Sequence, residues 1–389
     1  MSVLPDLHQQ YLQACQNLSQ PENPFVAYML QEADRSDKTW TKGITLKIAG
    51  NNHLVPVQRV TDEDLQALAP VLQNTVFVTG LDLRYNVLTD DGAKHVAKFL
   101  QRNETLLYLR MTGNKIGNKG GMYFASMLQI NSALEKLDLG DCDLGTQSLM
   151  AIATVLTPNR SVKAINLNRP LIYSQEEETT VHIALMLKTN SSLVELHLCK
   201  HEMKKFGVER LCEALYENCS LRYLDLSCNK ITRDDVKFLG ELLKRNQTLQ
   251  ILDLNSNRIE DDGAIYLSEA LALCNRTLQA LSVASNNISG KGLVALSDSM
   301  KTNMELSYIY IWGNKFDEAT CMAFSELIQT GRLKPNCTDV EPYEVDGHIH
   351  LAEVSHGLKK HYYWTPSCGK MKNKDANASL AIGAVSEYL

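Results

Sequence analysis

The sequence predicts an α/β solenoid: about ten repeats of 28 to 29 residues, a parallel inner sheet, outer helices and a horseshoe curvature. Three observations predict it. The phrase LxLxxN, fullest as LRYLDLSCNKI at Leu221 to Ile231 and LQILDLNSNRI at Leu249 to Ile259, returns at a nearly fixed period. Within the phrase apolar residues alternate, and after it they follow helical spacing. Joining one strand and one helix per repeat then forces curvature, because parallel strands stack about 4.8 Å apart whereas helices need about 10 Å.

The elements follow in order. Residues 1–39 read as a helical N-terminal cap, with Leu7, Tyr11, Leu12, Cys15 and Leu18 at helical spacing and a second helix near Phe25 to Ala33. Residues 40–330 read as the array. Aligned on the Asn of the phrase, its repeats fall at 51, 86, 114, 142, 170, 201, 229, 257, 286 and 314. In each, a pair such as Leu224 and Leu226 faces the core and the residue between them, here Asp225, faces out. Ala93, Val96, Ala97 and Leu100, or Ala264, Leu267, Ala270 and Leu271, then mark the helix, with Asp90, Asp91, Asp261 and Asp262 at its start.

The phrase Asn is expected to be buried where the chain leaves the strand, its amide bonding backbone groups of neighbouring coils. Cys142, Pro170 and His201 replace it in three successive repeats, and proline has no N–H to donate. The same stretch carries the longer gap of 31 residues and the loop Arg169 to Thr180, read either as a tolerated insertion or as a contact loop. Residues 331–367 leave the repeat pattern and read as a C-terminal cap with a hairpin turning at Asp346 and Gly347. Residues 368–389 read as a disordered tail.

Composition narrows the function. With 39 basic and 45 acidic residues the net charge is −6, which gives no basic footprint for nucleic acid. No apolar run approaches the roughly 18 residues of a membrane span, and the N-terminus lacks the features of a signal peptide. The expectation is therefore an intracellular chain, in cytoplasm or nucleus, whose 10 scattered cysteines remain thiols. Ten NxS or NxT triplets occur, but Asn103, Asn159, Asn190, Asn218, Asn246 and Asn275 share one repeat position with Asn131 and Asn303, which lack the Ser or Thr. Recurrence of the bare Asn points to turn chemistry.

The period, with LxxLxLxxNxI leading into a DDGA helix start, resembles the ribonuclease-inhibitor-like class of leucine-rich repeats over about residues 40 to 330. The resemblance implies a fold more firmly than a task. It implies an interaction protein: no enzyme, no cofactor, and a monomer binding protein partners through its concave strand face. Two other readings come with the class. One is a GTPase activator like the Ran activator, for which Arg84 and Arg110 would be the residues of interest; the other is a ribonuclease-inhibitor-like binder using acidic strand residues such as Asp225 and Asp253.

The register allows the strand face to be listed. Asp82, Arg110, Asp138, His197, Asp225, Asp253 and Tyr310 hold the middle position, and Arg84 flanks them. Such mixed signs suit a specific protein better than a polyanion. Tyr308, Tyr310 and Trp312 alternate along one strand as an aromatic patch, either open to a partner or covered by the C-terminal segment. Chemistry is otherwise sparse. GNKIGNKGG, Gly113 to Gly121, lacks the Lys-Ser or Lys-Thr of a phosphate loop. LGELL at Leu239 to Leu243 is explained as a helix core, and His348, His350, His356 and His361 near Cys337 and Cys368 fit no metal-finger spacing.

Overall fold

The computed structural model describes residues 6–35, 43–173 and 176–354. The expected tail at 368–389, His356, His361, Cys368 and two positions of the Arg169 to Thr180 loop lie outside the described residues. The chain divides into two compact units, Met1–Ile172 and Tyr173–Leu389. Each is an α/β solenoid in which parallel strands alternate with helices.

The first unit begins with α1 (Leu7–Asn17) and α2 (Pro24–Arg35). Asn23 ties this helical pair to the array, its amide donating to Asp64 at 2.8 Å while its backbone N–H donates to the Tyr11 hydroxyl. Then follow β1 (Ile44–Lys47), α3 (Asp62–Gln73), β2 (Val78–Asp82), α4 (Asp90–Leu100), β3 (Tyr108–Arg110), α5 (Gly117–Leu128), β4 (Lys136–Asp138), α6 (Thr146–Leu156) and β5 (Ala164–Asn166). The parallel register places Leu46, Leu81, Leu109, Leu137 and Ile165 in one row, all buried.

The second unit runs through α7 (Glu178–Thr189), β6 (Glu195–His197), α8 (Lys205–Leu215), β7 (Tyr223–Asp225), α9 (Arg233–Arg245), β8 (Ile251–Asp253), α10 (Glu260–Leu273), β9 (Ala280–Ser282), α11 (Gly290–Thr302), β10 (Tyr308–Tyr310) and α12 (Glu318–Gln329). Its core row is Leu196, Leu224, Leu252, Leu281 and Ile309, fully buried. The helix residues Leu267, Ala270 and Leu271, spaced three and four apart, are likewise buried.

Two ladders of Asn lace the coils. The phrase Asn works from both ends of its amide: Asn257 donates to the carbonyls of Leu226 and Leu254 at 3.0 Å each, and accepts from Ile231. Asn86, Asn114, Asn229, Asn286 and Asn314 repeat this pattern. Where Cys142 replaces Asn, its thiol donates to Met111 at 3.2 Å and keeps one rung. The other ladder is that of the NxS and NxT position. Asn246 donates to Leu215 and Asn218 of the preceding coil and accepts from its own Leu249 N–H. Asn103, Asn218, Asn275 and Asn303 are buried in the same way, so the recurrence does reflect a structural corner.

The helix-start aspartates differ from expectation in what they cap. Asp261 accepts from Ser289 N–H at 2.8 Å, the Ser289 hydroxyl and Gly292 N–H, all at the start of α11. Asp62 serves Thr89 and Asp90 serves Gly120 in the same manner. Adjacent helices start side by side, so a carboxylate in the first turn of one reaches the orphan N–H groups of the next.

Past α12 the repeat phrase stops, but its bonds do not. Arg332 donates to the carbonyls of Met300, Asn303 and Leu306, where a further Asn rung would stand. A 3₁₀ turn (Pro335–Cys337) leads to β11 (Val340–Val345) and β12 (His348–Glu353), paired antiparallel through a turn with Asp346 and Gly347 at φ 52° and 80°. Gly113 and Gly117, in the stretch that imitates a phosphate loop, have φ of 77° and 70° and serve as turn residues. No helix among the described residues is long and apolar enough to cross a membrane.

Candidate functional site

The strand residues expected to face solvent do point away from the leucine core, yet most are buried. Asp82, Asp138, His197, Asp225, Asp253 and Tyr310 all retain less than a tenth of their surface, whereas Arg84, Arg110, Tyr308 and Trp312 are half-buried. The reason is lateral. Side chains on the strand face have neighbours about 4.8 Å away on either side and cover one another.

In the first unit this face holds a charged cluster. The register sets Lys47, Asp82, Arg110, Asp138 and Asn166 in line. The Arg84 guanidinium grips Asp82, Nε donating to Oδ1 at 2.9 Å and to Oδ2 at 3.1 Å and Nη2 to Oδ2 at 2.7 Å, and Arg110 approaches the same carboxylate at 3.9 Å. Lys136 lies over the Tyr108 ring, 4.7 Å from its centroid. Both residues considered for a GTPase-activating role therefore face one aspartate of their own fold.

The second unit's face is acidic and aromatic. One row runs Glu195, Tyr223, Ile251, Ala280 and Tyr308, of which Tyr223, Ile251 and Ala280 make a small apolar cluster with Tyr308 packed on it. The next runs His197, Asp225, Asp253, Ser282 and Tyr310. His197 joins the two rows: its Nε2 lies 2.6 Å from Glu195 and its Nδ1 3.1 Å from Asp225, while its ring meets Tyr223 edge-on at 4.8 Å. Burial alone would discharge the imidazole, but the two carboxylates outweigh it and hold its pKa up at about 10. Burial likewise opposes the Asp225 charge, and the bond with His197 overcomes it, keeping that carboxyl below its ordinary range.

Asp253 is the odd member. Burial and the neighbouring Asp225 charge push its pKa up to about 7, although Asn255 N–H donates to it at 2.9 Å. At neutral pH this face therefore carries a carboxyl group poised between its two forms. Sequence reasoning placed His197, Asp225 and Asp253 on one face but missed that His197 bridges Asp225 and Glu195. The 28-residue offset between His197 and Asp225 was the available signal.

The aromatic patch is split. Tyr310 is buried at 2 % exposure, Tyr308 covers the apolar row, and Trp312 is half-exposed, edge-on to Phe316 at 5.7 Å. Asp339 approaches it from beyond the array and accepts the backbone N–H groups of Ile311 and Trp312. The Arg169 end of the insertion meets Asp141 at 3.5 Å, and Glu177 accepts from Lys204 N–H at 2.6 Å.

Comparison with known proteins agrees with this architecture. The model described as Leucine Rich repeat matches residues 77–97, 102–125, 131–153, 217–240, 245–268 and 274–297. The chain is similar to human leucine-rich repeat-containing protein 34, at 57% identity over 98% of this chain and 88% of that protein. It is similar to the mouse protein of the same name at 54% identity over 98% and 99%. Among solved structures it is similar to Leiomodin-1 Actin-Binding Site 2 at 20% identity and a TM-score of 0.35, covering 40% of this chain and 88% of that one, a likeness too low to carry an argument.

Proposed function

Because this chain belongs to the family of leucine-rich repeat-containing protein 34, a family built of leucine-rich repeats, we propose that it is a non-enzymatic, intracellular scaffold whose strand face and adjoining loops grip protein partners. The observation that carries this reading is the face of the second unit. Half-exposed Tyr308 and Trp312 stand at the last strand, two strands along the face from the buried carboxyl of Asp253, on coils stitched together by the Asn ladders. Preformed aromatic surface on a rigid strand face is the chemistry of a protein contact that takes an apolar segment. The scaffold is proposed to act as a monomer, without a cofactor and without contacting nucleic acid or membrane.

The other two readings draw less support. Arg84 is engaged with Asp82, and Asp225 with His197, so both are committed within the fold. Added protein is expected to leave GTP hydrolysis by small GTPases and cleavage by ribonucleases unchanged.

The test is affinity capture with the full chain, with cross-linking to locate the contact. Partners held by the wild type should be lost with Tyr308→Ala/Trp312→Ala and kept with Met322→Ala, a change at a side chain exposed on α12. Cross-links confined to the helices, or equal loss with Met322→Ala, would overturn the strand-face reading.

A further inference from the structure

Cys199 and Cys228 meet where two neighbouring strands of the second unit end. The β6–β7 register of His197 with Asp225 continues past the strands, because Leu198 N–H donates to Asp225 and Lys200 N–H to Ser227 at 3.2 Å. Cys199 is thus level with Ser227, and Cys228 is one residue beyond it on the adjacent coil. Cys228 adopts a left-handed backbone, φ 54°, held by its N–H donating to Asn255 at 2.8 Å. The register sets the two cysteines diagonally across the strand exits, and both residues are half-buried. Cys15, Cys142, Cys212, Cys321 and Cys337 are buried.

We propose that Cys199 and Cys228 are a redox-sensitive pair that a hydroperoxide converts to an inter-coil disulfide. Neighbouring coils stand about 4.8 Å apart and one residue along the chain adds about 3.3 Å, so this diagonal pair is separated by about 6 Å, within the roughly 4.4–6.8 Å between Cα atoms that a disulfide spans. Cys228 is the attacking sulfur. The hydrogen bond from Cys199 stabilises its thiolate most, against the cost of burial, with Ser256 adding a second bond; its pKa is lowered to about 6. Cys199, which supplies that bond and is partly buried, is pushed the other way and keeps its proton.

The steps balance without further reagents. The Cys228 thiolate attacks one oxygen of the hydroperoxide, the O–O bond breaks, and the departing oxygen takes a proton and leaves as water or an alcohol. Cys228 is now a sulfenic acid. The Cys199 sulfur then attacks it, the S–S bond forms, the S–O bond breaks, and the hydroxide leaves as water with the Cys199 proton. The pair is oxidised by two electrons and the peroxide reduced by two. A dithiol reverses the change by exchange. The bond would join the exits of β6 and β7 beside Asp225.

The test uses the reduced full chain at pH 7 with stepped equivalents of hydrogen peroxide, alkylation of the remaining thiols and peptide mass mapping. A Cys199–Cys228 linked peptide is expected before exposed Cys219 or Cys274 is oxidised, and dithiothreitol should remove it. In Cys199→Ser the oxidation should stop at Cys228, where dimedone traps a sulfenic acid about tenfold faster than at Cys219. Cys228→Ser should give neither product. Oxidation at Cys219 or Cys274 while Cys199 and Cys228 remain alkylatable would overturn the proposal, as would dimedone labelling of Cys228 no faster than of Cys219.

Discussion

The carboxylate of Asp339 accepts the backbone N–H of Trp312 at 3.0 Å, and its other oxygen accepts that of Ile311 at 2.9 Å. In every earlier coil of the second unit the donor matching Ile311 bonds the next strand, as Val283 N–H does to Tyr310 and Leu254 N–H to Ser282, whereas Ser227 and Asn255, which match Trp312, donate to Asp225 and Asp253 of their own strands. One side chain thus stands in for two acceptors, the carbonyl of a further strand at Ile311 and the aspartate that Tyr310 replaces at Trp312. An array of parallel strands ends in unpaired donors unless something supplies acceptors.

Asp339→Ala should therefore lower stability by about 2–4 kcal/mol, since it strands two donors at about 1–3 kcal/mol for each unsatisfied buried group. Urea unfolding of the full chain measures it. Burial also raises the Asp339 pKa to about 6, so its contribution is complete below the ordinary carboxylate value and declines as pH rises through 6.

His197→Ala removes the cation between Glu195 and Asp225 and leaves two buried carboxylates facing one another. The expected loss is about 3–5 kcal/mol, the cost of breaking a buried ion pair from one side. Double substitution to His197→Leu/Glu195→Gln should recover part of it. A loss under about 1 kcal/mol for His197→Ala would contradict the bridging role.

Asp253 sets a pH dependence near neutrality. Its folded pKa, about 7, lies above its unfolded value, so its contribution is present below the ordinary carboxylate range and lost as pH rises through 7. His197 has the same sign at a higher window, its contribution being lost as pH rises through about 10, while Asp225 has the opposite sign and is lost on acidification. Denaturation midpoints for the wild type should fall from pH 5 to pH 8. Asp253→Asn should make that fall shallower, leaving the parts set by Asp339 and His197 and the alkaline decline in place.

A ladder rung is worth several bonds. Asn257→Ala deletes donations to Leu226 and Leu254 and the acceptor for Ile231, all buried. A loss of about 2–4 kcal/mol is expected, with hydrogen exchange faster at the N–H of Ile231 than at residues several coils away. Uniformly accelerated exchange would mean that the rung acts globally and not locally.

The aromatic residues of the last strand separate stability from binding. Tyr310→Ala removes a buried ring from the strand face beside Ser282 and should cost about 3–5 kcal/mol. Trp312→Ala, half-exposed, should cost about 1 kcal/mol or less in unfolding while reducing partner capture the more.

Much of the architecture was legible because it is local and periodic. The alternation in LRYLDLSCN gave a strand at Tyr223 to Asp225, and helical spacing gave Leu267, Ala270 and Leu271 as a buried face. Recurrence of Asn at a position where Ser or Thr was dispensable separated a corner from a glycosylation signal. The closing bonds of Arg332 and Asp339 were not legible, because a single side chain replaces a whole phrase and leaves no phrase to recognise. Nor was the service of Asp261 to α11, which depends on helices starting side by side.

The sequence by itself determined the repeat, the strand and helix within it, and which residues fill the leucine core, since a period of two and a period near 3.6 translate directly into faces. Tertiary structure alone decided what the opposite face of the strands would be. Asp225 reads as an exposed charge in its own repeat; stacked between His197 and Asp253 it is buried and ionised, while Asp253 is held near neutrality. Charge state depends on desolvation and on neighbours about 4.8 Å away, and those neighbours lie a whole repeat distant along the chain.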